Sequence, residues 1–145
     1  MATPKIKGFS YADGNVKASL HFKHFNKNLA RAQFALDTQI MNDMTRYMPK
    51  NTGTLIALTR ARSVSTAGTG LVCAAAGPYG RFQYYGKVMI DPVTGSPVAR
   101  KGAKKVVTDR PLTYSNPEAR PKWFEAAKDK NLNKWVRLVK KEVGQ

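Results

Sequence analysis

The sequence predicts an α+β fold: a long helix and a C-terminal helix packed on a small antiparallel β-sheet, with an extended basic loop or hairpin. Three observations predict it. Apolar residues from Phe25 to Tyr47 recur at helical spacing, and a second helical stripe runs from Phe124 to Leu138. Around and between them lie short β-rich runs divided by Gly and Pro. A chain of 145 residues fits one domain spanning 1–145. It divides into an arm (1–14), a core (15–86), a long loop or hairpin (87–114) and a C-terminal helix region (117–143).

Residues 1–14 read as an arm or short strand ending in a turn. Val16, Ala18, Leu20 and Phe22 alternate with polar residues, the pattern of a half-buried strand. From Lys23 to Met48 the period becomes helical, and Pro49 stops the helix. Its methionines, Met41, Met44 and Met48, are expected as core filler. Leu55–Ser65 and Leu71–Ala76, on either side of Gly68-Thr69-Gly70, read as a β-hairpin. In that reading Arg60 and Arg62 project from one face. Pro78 to Tyr85 reads as a short helix with Gly86 just past its end. Val88–Ile90 and Val106–Thr108 are candidate strands, separated by turn chemistry at 91–97 and by the basic loop 100–105, read as mobile. Pro121 is placed as the first residue of the last helix, which Gly144 stops. Lys140 and Lys141 suit the negative end of that helix's dipole.

Charge narrows the partners. Lys and Arg number 25 against 9 Asp and Glu, a formal net charge of +16. Residues 100–145 hold 13 basic and 5 acidic side chains, a net of +8 and half the total. Such a field favours a polyanion, whether nucleic acid, an acidic partner or an anionic surface. Cys73 is the sole cysteine, which excludes an intramolecular disulfide; its apolar neighbours predict a buried, inert thiol. No apolar run is long enough to span a membrane, and the N-terminus carries no secretory leader pattern.

The residues point away from catalysis. No nucleophile elbow, P-loop or His-Glu-x-x-His pattern occurs. His21 and His24, the two histidines, have no nearby Cys or acid to complete a zinc site, so no metal and no cofactor are expected. Asp91 and Asp109 flank the basic loop and would approach in a hairpin; an ion pair with a neighbouring Lys or Arg is the favoured role. Tyr79, Phe82, Tyr84 and Tyr85 would suit stacking on single-stranded nucleic acid, but they precede the basic cluster instead of alternating with it. Packing in the core or at an interface is the favoured role for them.

A series of motifs then carries a resemblance. Pro49-Lys50-Asn51-Thr52-Gly53-Thr54-Leu55 comes first. Next are Pro78-Tyr79 and Tyr84-Tyr85-Gly86-Lys87-Val88-Met89, running into Asp91-Pro92-Val93-Thr94-Gly95. Lys104-Lys105-Val106, Thr108-Asp109-Arg110, Leu112 and Tyr114 follow, and Pro121-Lys122-Trp123-Phe124-Glu125-Ala126-Ala127 completes it. In this order the series resembles the phage minor capsid protein family of siphophages of Gram-positive bacteria, and is similar to tail-completion (head–tail joining) neck proteins. Residues 20 to 140 carry the resemblance. The chain departs from the broader tail-completion pattern at Tyr84, where an acidic residue is common, and at Ile56, where Arg and Ser often follow.

The resemblance implies a structural virion protein of the neck, forming a ring that joins the DNA-filled head to the tail, and not an enzyme. It implies self-association in a six- or twelve-fold ring, contact with the connector or stopper and with the tail terminator or tail tube, and non-specific contact with genomic DNA. Location is implied in the virion neck, after assembly in the host cytoplasm, with no membrane partner. It marks Pro49, Gly53, Leu55, Tyr79, Tyr85, Gly86, Asp91, Pro92, Gly95, Trp123 and Phe124 as structural motif residues. Charge clustering marks Arg60, Arg62, Arg100, Lys101, Lys104 and Lys105 as facing the DNA channel or a partner. The alternative is a stand-alone basic nucleic-acid-binding protein, whose affinity would fall steeply with salt.

Overall fold

The computed structural model describes residues 5, 7–13, 16–20 and 23–144. The elements run β1 (Phe9–Asp13), β2 (Val16–Leu20), α1 (Lys23–Thr45), α2 (Thr54–Ser65), α3 (Gly80–Tyr85), β3 (Lys87–Ile90), β4 (Val106–Pro111) and α4 (Trp123–Gly144). The class is α+β, as the periodicity predicts. The strands form two separate antiparallel pairs, β1 with β2 and β3 with β4. The predicted strand at 16–22 is β2, in register Phe9↔Leu20 through Asp13↔Val16; His21 and Phe22 lie outside the described residues.

The long helices pack chiefly on each other, antiparallel. Near one end Asn28 Nδ2 donates to the Val143 carbonyl at 3.3 Å, and Arg31 pairs with Glu142 at 3.0 Å. Further along, Trp135 Nε1 donates to Asp43 at 2.7 Å and Lys134 reaches the same carboxylate at 3.1 Å. The core between them contains Met41, Met44, Tyr47, Met48, Trp123, Ala127 and Trp135. The methionines therefore fill the core as expected. The outer part of the predicted stripe does not: Phe34 is 56% exposed.

The predicted hairpin at 55–76 is corrected. Residues 54–65 are helix α2, and 71–76 run beside it without forming a strand. The reason lies in what α2 buries. Its fully buried positions are Thr59 and Ser63, four apart; apolar contact with the core comes from Leu55 and Ile56 in the first turn, and the rest of the inward face carries hydroxyls. Thr59 Oγ1 accepts the Ala76 N–H at 3.0 Å. Ser63 Oγ accepts the Cys73 N–H at 3.1 Å and donates to the Cys73 carbonyl at 3.2 Å. Side-chain hydroxyls thus satisfy the backbone groups that a β-ladder would have paired.

The start of α4 also differs. Lys122 takes a left-handed φ of 51°, its N–H donating to the Tyr84 carbonyl at 2.7 Å and its carbonyl accepting the Ala126 N–H at 3.1 Å. Lys122 therefore caps the helix, and Pro121 lies outside it. Pro121 instead packs on Gly86, where an added Cβ would come within 2.7 Å of its ring.

Candidate functional site: a basic and apolar assembly surface

The 91–100 turn is organised by one carboxylate. Asp91 is fully buried. Its Oδ1 accepts the Val93 N–H at 2.8 Å, and its Oδ2 accepts the Arg100 N–H at 3.1 Å and Nε at 2.8 Å. The Arg100 side chain, the Arg100 backbone N–H and the Val93 N–H hold this carboxyl well below the usual carboxylate range. Asp91 thus makes the ion pair expected of it, with Arg100, while Asp109 is exposed on β4. Gly95, at φ 68°, closes the turn by donating to the Asp91 carbonyl.

The basic residues marked by sequence separate into distinct roles. Arg60 and Arg62 do not share a face, because positions i and i+2 of a helix lie about 200° apart and this segment is helix α2. Arg60 is tied back to α1, donating to Asn42 Oδ1 at 2.8 Å and to Thr45 Oγ1 at 3.1 Å, whereas Arg62 is exposed in the last turn. Arg100 is itself exposed, but its guanidinium is committed to the buried Asp91 and is structural. Lys101 and Lys104 are exposed, and the Lys105 ammonium sits 5.7 Å from the centre of the Tyr79 ring. The loop 100–105, read from sequence as mobile, is thereby held at Arg100 and at Lys105.

Outside the 91–100 turn, which holds Asp91, Pro92 and Gly95, the motif residues gather mainly in two places. Pro49, Gly53, Leu55 and Tyr79 line a cleft of about 440 Å³ between the N-terminus of α2 and the 76–80 segment. Gly53, at φ 82°, precedes α2 directly, a conformation that suits a residue without a Cβ. Around the second place, Gly86 ends α3 at φ 68° and Trp123 is fully buried, donating from Nε1 to the Ala74 carbonyl at 2.7 Å. Tyr84 meets Trp123 edge-on at 4.8 Å and donates to Glu125. Burial and the Glu125 carboxylate push the Tyr84 hydroxyl well above its ordinary value. Phe124 stacks on Trp135 at 6.3 Å. Cys73, expected buried, is half-buried.

The exposed apolar residues are unevenly spread. Of thirteen large apolar side chains exposed among the described residues, Tyr79, Tyr85, Val93, Val98, Val106 and Val107 fall in 79–107. Val98 is 78% exposed and Val93 73%. Exposed apolar side chains gathered in one stretch of chain are a mark of a contact face.

Several structural residues escaped the sequence reading. Asp37, buried in α1, accepts the Gly68 N–H at 2.8 Å and the Gly70 N–H at 3.0 Å, so it anchors the turn after α2. Asn116 brackets the end of α1, accepting the Lys50 N–H and donating to the Met48 carbonyl, each at 3.0 Å. A polar residue on an otherwise apolar helix face was the available signal for Asp37; Asn116 gave none. Among the described residues, no three His, Cys, Asp or Glu side chains converge to hold a metal, and no helix is long and apolar enough to cross a membrane.

Comparison with protein families gives a match to the minor capsid protein model over residues 15–143, all but the ends of the chain. The chain belongs to the phage minor capsid protein family. It is therefore a structural protein of the virion, and virion proteins are its assembly partners. Comparisons with curated proteins and with solved structures returned no match.

Proposed function

We propose that this minor capsid protein forms a ring in the neck of a siphophage of Gram-positive bacteria, joining the filled head to the tail. The observation that carries the reading is the combination of exposed apolar residues and uncompensated lysines in 79–107. A ring subunit must cover apolar area between copies and between layers. It must also tolerate the negative potential of DNA passing through its centre, and a net charge of +16 supports that. The ring is six- or twelve-fold. Its neighbours are the connector or stopper on the head side and the tail terminator or tail tube on the other, and genomic DNA is contacted without sequence preference. In this reading the protein does no catalysis.

Loss of the protein during phage growth tests the reading. Filled heads and separate, complete tails are expected, and a plasmid copy restores joining. Normal virions without it would refute a joining role. Lys101→Glu with Lys104→Glu in the complementing copy should lower titre or genome retention, since both side chains are exposed. Arg100 is unsuitable for that purpose because Asp91 needs it. A stand-alone nucleic-acid binder would instead bind duplex DNA as a monomer, with log K falling linearly with log salt.

A further inference from the structure

The cleft beneath α3 differs in character from the rest of the surface. Its floor is largely aliphatic, with Val88, Met89 and Leu112, and it encloses about 600 Å³. Lys87, Lys104 and Lys105 stand around it. A second hollow of about 380 Å³ shares Phe82, Lys87, Met89 and Lys105 with the first and adds Arg81. No acidic side chain lines either hollow. Like charges gathered in this way repel each other in the isolated subunit, and carboxylates from outside would relieve that repulsion.

Two features favour a peptide over a nucleic acid strand. The Tyr79 ring, the most exposed aromatic at the rim, already carries the Lys105 ammonium against it, so that face is occupied. Besides Tyr79, the larger cleft has one further aromatic, Phe82; the rest of its apolar lining, Val88, Met89, Pro97 and Leu112, offers a base no plane to stack on. These groups do suit a Leu, Ile or Phe side chain, and the surrounding ammonium groups suit carboxylates beside it.

We propose that this cleft docks an acidic peptide segment of an adjacent virion protein, an apolar side chain entering between Phe82, Met89 and Leu112 while its flanking carboxylates meet Lys87, Lys104 and Lys105. The proposal rests on the reading of the chain as a joint between virion layers, and names the chemistry of one neighbour. It is testable on the isolated full chain, so its failure leaves the neck location to be decided separately.

The probe is a fluorescein-labelled peptide, Asp-Glu-Leu-Asp-Phe-Glu-Asp, followed by anisotropy at low salt. Saturable binding is expected, and a peptide of equal charge with Ser for Leu and Phe should bind at least about tenfold more weakly, or 1.4 kcal/mol. Lys104→Glu with Lys105→Glu should weaken binding by about tenfold or more. Lys140→Glu with Lys141→Glu, an equal change of charge at the end of α4, should leave it within about twofold. Met89→Ser should weaken the Leu/Phe peptide and not the Ser peptide, a difference that general unfolding does not produce. Equal binding of both peptides would overturn the proposal, as would equal loss in both lysine pairs. So would tighter binding of an oligothymidylate of the same charge, or no saturation by about 1 mM.

Discussion

Asp91 and Arg100 close the 91–100 turn on itself: a fully buried carboxylate accepts both the backbone N–H and the Nε of a residue nine positions later, at 3.1 and 2.8 Å. The pair divides the basic loop into a fixed base and exposed lysines. In Asp91→Ala, the Val93 and Arg100 amides lose their acceptor. Hydrogen exchange should accelerate at residues 93–100 while amides of α1 and α4 keep their protection. Unchanged exchange in the turn would show that Asp91 does not organise it.

Gly86 and Gly95 share a φ of 68° but differ in surroundings. At Gly95 nothing lies within 4 Å of an added Cβ, whereas at Gly86 it would meet Pro121 at 2.7 Å. Gly95→Ala should cost about 1 kcal/mol from the left-handed backbone alone. Gly86→Ala should cost about 2–4 kcal/mol, since overpacking adds to the same backbone term. Urea denaturation of both variants measures the difference.

The hydroxyl pairing of α2 with 71–76 gives a third expectation. Thr59→Val keeps the shape and leaves the buried Ala76 N–H without its acceptor, which should cost about 1–3 kcal/mol. A loss below ~0.5 kcal/mol would mean that this bond contributes little net stability.

Acid should destabilise the fold over a defined range. Asp91 is held below its ordinary pKa chiefly by Arg100, and Glu118 chiefly by its hydrogen bond with Arg46. For Asp43, burial pushes upward, but hydrogen bonds from Trp135, Lys134 and Gln39 outweigh it and lower the value. Lowered folded values mean that these contributions are complete above the unfolded value near 4 and disappear as pH falls through the folded ones. Tm should therefore be level down to about pH 5 and fall below about pH 4. Tyr84 and Tyr114 are raised, chiefly by burial, so stability should fall again as pH rises above about 10. Thermal melts across pH check both ends.

How much the sequence reveals depends on what each element buries. α1 and α4 bury Met41, Met44, Ala127 and Trp135, so hydrophobic spacing finds them. α3 ends on Gly86, which marks its boundary by backbone freedom. α2 buries Thr59 and Ser63 and is invisible to an apolar-period search; Ser63-Val64-Ser65 instead imitates a strand. The basic residues were legible as a cluster, but their division was not. Arg60 is held by Asn42 and Thr45, and Arg100 by Asp91, through contacts set by tertiary geometry. Motif order identified the family, because Gly53, Gly86 and Trp123 serve backbone and packing needs that few other residues meet.

Cryo-electron microscopy of the intact virion tests the central claim most directly. A neck reconstruction with its symmetry determined should show this α+β subunit as a closed ring between head and tail, with residues 79–107 in contact with neighbouring subunits or layers. Density for the subunit in the capsid shell or at the tail tip, and none in the neck, would contradict the account.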